Sequence, residues 1–112
     1  MSDADRGRVC RGSAAALNGR SYNTVKVIGT NQEYIRVQWK RPDDGKKWKQ
    51  DCRFEGDKVI WRGVDAFGPG SGEGRWRTDP RDETITYKLE RGVVTITIVL
   101  DGEQMTTKTF AS

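Results

Sequence analysis

From Tyr22 onward, apolar and polar residues alternate with a period of two almost to the end of the chain, the spacing of strands with one dry and one wet face. The period marks strands at 21–28, 34–41, 46–55, 58–64, 74–78, 84–90, 93–100 and 103–110. Most of the gaps carry turn chemistry: Gly29-Thr30-Asn31, Pro42-Asp43-Asp44-Gly45, Gly56-Asp57, Asp79-Pro80-Arg81-Asp82, Arg91-Gly92 and Asp101-Gly102. Sequential antiparallel hairpins follow. The rhythm breaks at 65–73, where glycines and Pro69 surround Phe67 and predict a long mobile loop. Residues 1–12 show no apolar period and read as a flexible arm, and Ser13 to Asn18 reads as a short helical turn ended by Gly19.

Turn lengths fix the register. Closing on Pro42–Gly45 sets Trp39 opposite Trp48, Val37 opposite Gln50 and Ile35 opposite Cys52, with Arg36 opposite Asp51 on the wet face. Closing on Gly56-Asp57 sets Cys52 opposite Trp61. The Arg91-Gly92 turn sets Tyr87 opposite Ile96, and Asp101-Gly102 sets Ile98 opposite Met105, Ile96 opposite Thr107 and Val94 opposite Thr109. Each of the four tryptophans is followed by a cation (Trp39-Lys40, Trp48-Lys49, Trp61-Arg62, Trp76-Arg77), so each pair reads as a ring turned inward and a charge turned to water. Burying a Trp removes about 150–250 Å² from water, or ~4–6 kcal/mol, against ~0.5–1 kcal/mol for an exposed ring stacked on a cation.

Eight strands joined in order close most simply into a single up-and-down antiparallel β-barrel, so the expectation is an all-β domain over 13–112 with a short N-terminal helical turn. The order of elements resembles the calycin group of lipocalin-like and fatty-acid-binding barrels. The helical turn SAAALN comes first, Leu17-Asn18-Gly19 then leads into Tyr22, and the meander ends in LDGEQMTTKTF. The resemblance is architectural and rests on no diagnostic motif; Gly19-Arg20-Ser21-Tyr22 carries Tyr one place beyond the Trp of the lipocalin Gly-x-Trp. It implies an interior cavity for a small apolar ligand.

Composition narrows the chemistry. The 112 residues suffice for one core, and the net charge of +4 is uneven: residues 1–62 hold 14 Lys/Arg against 8 Asp/Glu, and residues 63–112 hold 6 against 8. No histidine is present, the carboxylates sit in turns or opposite cations, and no metal-ligand or nucleophile spacing occurs. The expectation is a protein that is not an enzyme and uses no metal or cofactor. Cys10 and Cys52 either form one disulfide or remain free, and two cysteines without ligand spacing are more often free thiols. With no signal-peptide core in the first residues and no membrane-length apolar run, the cytoplasm is the expected compartment, with a periplasmic or secreted location as the alternative.

Two functional readings follow. In the first, the interior binds a small apolar or aromatic ligand at Trp39, Trp48, Gln50, Trp61, Tyr87 and Thr107, the rings supplying contact area and the polar groups orientation. In the second, the chain is an interaction module for protein or nucleic acid, acting through the basic 36–53 hairpin with Lys40, Lys47 and Lys49, or through Phe67 in the glycine-rich loop. Monomer and homodimer are both compatible with the apolar residues Ile28, Ile60 and Val99 on the wet face.

Overall fold

The computed structural model describes residues 1–65, 70–79, 81–100 and 102–111, with backbone alone at 104 and 105. It opens with a helix, α1 (Asp3–Asn18), followed by a 3-10 turn at Tyr22–Thr24. Seven strands come next: β1 (Lys26–Thr30), β2 (Ile35–Lys40), β3 (Lys47–Glu55), β4 (Lys58–Val64), β5 (Thr84–Glu90), β6 (Val93–Leu100) and β7 (Glu103–Ala111). They pair antiparallel in chain order, and β7 does not return to pair with β1. The closed eight-stranded barrel expected from the sequence is therefore a strongly curled seven-stranded half-barrel. Its concave side holds α1, which packs against β1, β2, β3, β5, β6 and β7.

Residues 3–12, expected as a free arm, are the first part of this helix. Ser2 caps it, its Oγ accepting from the Asp5 N–H at 3.1 Å, while Asp3 and Asp5 complement the dipole of the first turn. Gly19 ends it in the left-handed conformation at φ 63°. The buried face is built of small groups: Gly7, Val9, Cys10, Gly12, Ser13, Ala14 and Ala15. A Cβ on Gly12 would stand 3.1 Å from Val94 Cγ1 and 3.3 Å from Ile96 Cγ1, so the missing side chain is what lets the helix settle onto β6. Across from it lie Ile35, Val37, Trp39, Val59, Ile85, Val94, Ile96 and Ile98. A disulfide between Cys10 and Cys52 ties helix to sheet across Cα atoms 5.7 Å apart, so of the two states open to these cysteines the less usual one, the covalent staple, is the one formed.

Most of the registers agree with the turn-based expectation. Trp39↔Trp48, Val37↔Gln50, Ile35↔Cys52, Arg36↔Asp51, Cys52↔Trp61 and Tyr87↔Ile96 all pair as read from the sequence. The β6–β7 register does not. A bulge between Ile98 and Val99 moves the partners to Ile98↔Thr106, Ile96↔Lys108 and Val94↔Phe110, leaving Met105 as the inserted residue. Thr107 and Thr109 then pair with Thr97 and Thr95, on the outer face, and Phe110 takes the inward place against Tyr22 at 5.5 Å.

The segment expected as a strand at 74–78 is a strap along β4 without a continuous ladder. Since β4 and β5 pair only at Lys58↔Thr86 and Val59↔Ile85, the rest of β4 lacks a strand on that side. The strap fills the place through Gly74 N–H to Gly63 O and Arg77 N–H to Trp61 O, both 2.8 Å. Its side chains reverse the expected facing: Trp76 lies on the outer face against Arg62, Arg53 and Tyr34, while Arg77 covers the inner-face ring of Trp61 at 4.7 Å.

Candidate partner-binding site at the end of the second hairpin

The β2–β3 hairpin closes tightly. Arg41 N–H donates to Lys46 O, Gly45 N–H to Arg41 O, and Lys46 N–H to Asp44 Oδ1 at 2.9 Å. This turn brings Trp39 and Trp48 opposite each other on the inner face and gathers Lys40, Arg41, Lys46 and Lys47 at the tip. The chain leaving α1 passes the same end, so Asn18 and Arg20 join the two indoles and Arg41 around a hollow of about 160 Å³. Trp39 is buried beneath it and Trp48 is half-buried at its wall.

The cations here differ in how far they are already satisfied. Arg41 holds Asp44 in a two-pronged pair at 2.7 and 3.2 Å, and that carboxyl, with the Lys46 N–H also donating to it, is held well below the usual carboxylate range. Both partners are exposed enough for water and other anions to compete. Arg20 is the opposite case, since its Nε is buried with no hydrogen-bond partner. Lys46 Nζ stands 4.6 Å above the Trp48 ring and the Arg41 guanidinium 5.4 Å from it. Among the described residues, Lys40, Lys46 and Lys47 make no ion pair, whereas Lys49 reaches Asp65 at 3.6 Å. A second hollow, of about 310 Å³, lies between Gly45, Lys46, Lys47, Lys49 and Asp65. Six cations (Arg20, Lys40, Arg41, Lys46, Lys47, Lys49) meet three carboxylates (Asp43, Asp44, Asp65) at this end.

The residues assigned to an interior ligand are dispersed. Trp39 and Trp48 meet, and Gln50 follows Trp48 along the inner face, buried, with Oε1 lacking a partner. Trp61 lies where β4 and β5 part, donating from Nε1 to Glu83 at 3.2 Å. Tyr87 is at the opposite end of the sheet, its hydroxyl donating to Gly56 O at 3.0 Å. Thr107 faces outward, because the β7 bulge inverts the strand's sides. Of the interaction residues, Lys40, Lys47 and Lys49 do gather, and Phe67 lies outside the described residues.

The basic 36–53 hairpin expected as an interaction surface is divided. Toward its far half Arg36 is bound to Asp51 and Glu73, and Arg53 stacks on Trp76, so the uncommitted charge is concentrated at the tip. Arg20 and Asn18 were not foreseen; the one signal available was Gly19, the helix stop that turns the next residue across the hairpin. No family description, curated protein or solved structure matches this chain.

Proposed function

We propose that this chain is a non-catalytic binding module that takes an anionic partner at the β2–β3 end, with Arg20, Arg41, Lys46, Lys47 and Lys49 supplying charge and Trp39 and Trp48 the contact surface. The observation that carries the reading is the hollow that the two indoles share with Arg20 and Arg41, at an end of the sheet where Lys40, Lys46 and Lys47 make no ion pair among the described residues. Size favours this over an interior ligand. At about 160 Å³ the hollow falls below the ~300–1,000 Å³ of small-molecule pockets and suits a single anchoring group. The concave side, where a calycin-type cavity would lie, is occupied by α1.

The staple supports a reading of the compartment. Cys10 and Cys52 are fully buried and bonded, and disulfides of this kind persist in oxidising surroundings, so we place the protein in a periplasmic or extracellular setting rather than the cytoplasm. No helix among the described residues is long and apolar enough to cross a membrane.

Retention on an immobilised polyanion tests the site. The wild-type protein is retained at low salt and released steeply as salt rises, and Arg20→Ala and the Lys47→Ala/Lys49→Ala pair each elute earlier, whereas Lys88→Ala on β5 elutes with wild type. Equal elution of all four proteins would place the charge recognition elsewhere.

A further inference from the structure

Granting the anionic-partner reading above, the geometry points to the class of that partner. We infer that the site receives an acidic segment of another protein, one carboxylate side chain seated in the Trp39–Trp48 hollow against Arg20, with neighbouring carboxylates on Lys46, Lys47 and Lys49.

Nucleic acid is disfavoured by the rings themselves. A single strand needs open aromatic faces on which successive bases stack. Here Trp48 already carries Arg41 and Lys46, Trp39 is 94% buried, Trp61 lies under Arg77, Trp76 carries Arg53 and Arg62, and Tyr22 is covered by Arg11 at 4.1 Å. Rings capped by cations do not offer a stacking platform, but they do hold guanidinium and ammonium groups in place for a carboxylate.

The loop shows that binding mode internally. Asp44 seats its carboxylate on Arg41 beside the Trp48 ring, through Nε and Nη2. Arg20 lines the same hollow as Arg41 and, among the described residues, makes no ion pair, so this second guanidinium is left for a carboxylate of the partner. Lys47 and Lys49 project from the face of β3 opposite to Trp48 and lie about 6.6–6.8 Å apart, the spacing of alternate side chains in an extended acidic segment that passes over the hairpin tip from the hollow.

The test uses two fluorescein-labelled probes of equal charge, a peptide of alternating Glu and Gly and an oligothymidylate, titrated with the full chain and followed by polarisation and tryptophan emission. Expected is tighter binding of the peptide, a change in indole emission on binding, and a loss of about tenfold or more in Arg20→Ala, in line with one charge-assisted hydrogen-bonding group, partly restored by Arg20→Lys. Near-UV circular dichroism checks that each variant keeps its fold. Tighter binding of the oligothymidylate would overturn the protein-segment proposal and leave the anionic site standing. Peptide affinity unchanged in Arg20→Ala but reduced in Lys47→Ala/Lys49→Ala would overturn the anchor in the hollow, and binding of neither probe would remove both the proposal and the reading beneath it.

Discussion

Asp51 accepts two hydrogen bonds from Arg36, Nε to Oδ1 at 2.7 Å and Nη2 to Oδ2 at 3.0 Å, on the outer face of the sheet, yet none of its own surface reaches solvent. The strap makes this so. Glu73 takes a further bond from Arg36 at 3.1 Å, Arg62 donates to Asp51 at 2.8 Å, and Trp76 closes over Arg62 at 4.3 Å. The strap is thereby pinned to β2, β3 and β4 by charge and ring contacts in place of a strand ladder.

Removing the central carboxylate takes away the ion pair of Arg62 and leaves Arg36 with Glu73 alone. Asp51→Ala is expected to lose about 3–5 kcal/mol of stability in urea denaturation, whereas Glu73→Ala, at the exposed rim, loses about 1 kcal/mol or less. Equal small losses in both would mean that Asp51 is not the hub of the network.

The staple has a second measurable consequence. A cross-link spanning 42 residues removes enough freedom from the unfolded chain to contribute about 4 kcal/mol in the chain-entropy account. Cys10→Ala/Cys52→Ala is therefore expected to fold less stably by about that amount, and a reducing agent is expected to leave this variant's denaturation curve unchanged while shifting that of wild type. A wild-type curve indifferent to strong reductant under denaturing conditions would contradict the bond.

Acid should act on the strap through Asp82. Hydrogen bonds from Arg75 hold its carboxyl at about 2, below its ordinary value of 3.8, with the Asp79 N–H and the charge of Arg77 acting the same way. A carboxyl depressed in the folded state stabilises the fold above its unfolded pKa, and that contribution disappears as pH falls through the folded value. The expectation is an acid loosening between about pH 4 and pH 2, followed by tryptophan emission, because Arg77 and Trp76 both lie on the strap. Asp82→Asn should flatten this part of the profile; an unchanged profile would assign the acid sensitivity to other carboxylates.

Much of the sheet was legible because facing, turn chemistry and register agree. β4, β5 and β6 begin and end where the alternation does, and the Pro42–Gly45 closure alone places Trp39 against Trp48. The end of the helix at Ser13–Asn18 and its Gly19 stop were legible, but residues 3–12 were not, because the buried face pairs Val9 and Cys10 with Ser13 and Ala14, a correct helical spacing written in residues too small to register as an apolar stripe. Tyr22–Thr24 alternates like a strand but turns, since Thr24 Oγ1 bonds to Ser21 O at 2.7 Å and completes the turn locally. The β7 bulge adds one residue without a glycine or proline to mark it, and that single step moves Thr107 from the expected interior to the outside. At the site, the lysines were visible as a charged hairpin, but Arg20 belongs to it only through the three-dimensional path of the helix end.

Gln50 sits between Trp48 and Cys52 on the inner face of β3. The alternation turns its amide inward, and it is 1% exposed, with Oε1 unpartnered and Nε2 facing the Cys52 sulfur at 3.7 Å, a weak acceptor. A buried acceptor without a donor costs about 1–3 kcal/mol, and removing it in favour of an apolar side chain of similar size recovers part of that. Gln50→Met is therefore expected to be neutral to stabilising by about 1–2 kcal/mol in urea denaturation. Loss of peptide binding in Gln50→Met with stability unchanged would instead extend the site from the Trp48 hollow inward along β3, and a destabilisation of more than about 1 kcal/mol would show the amide bonded in the folded protein.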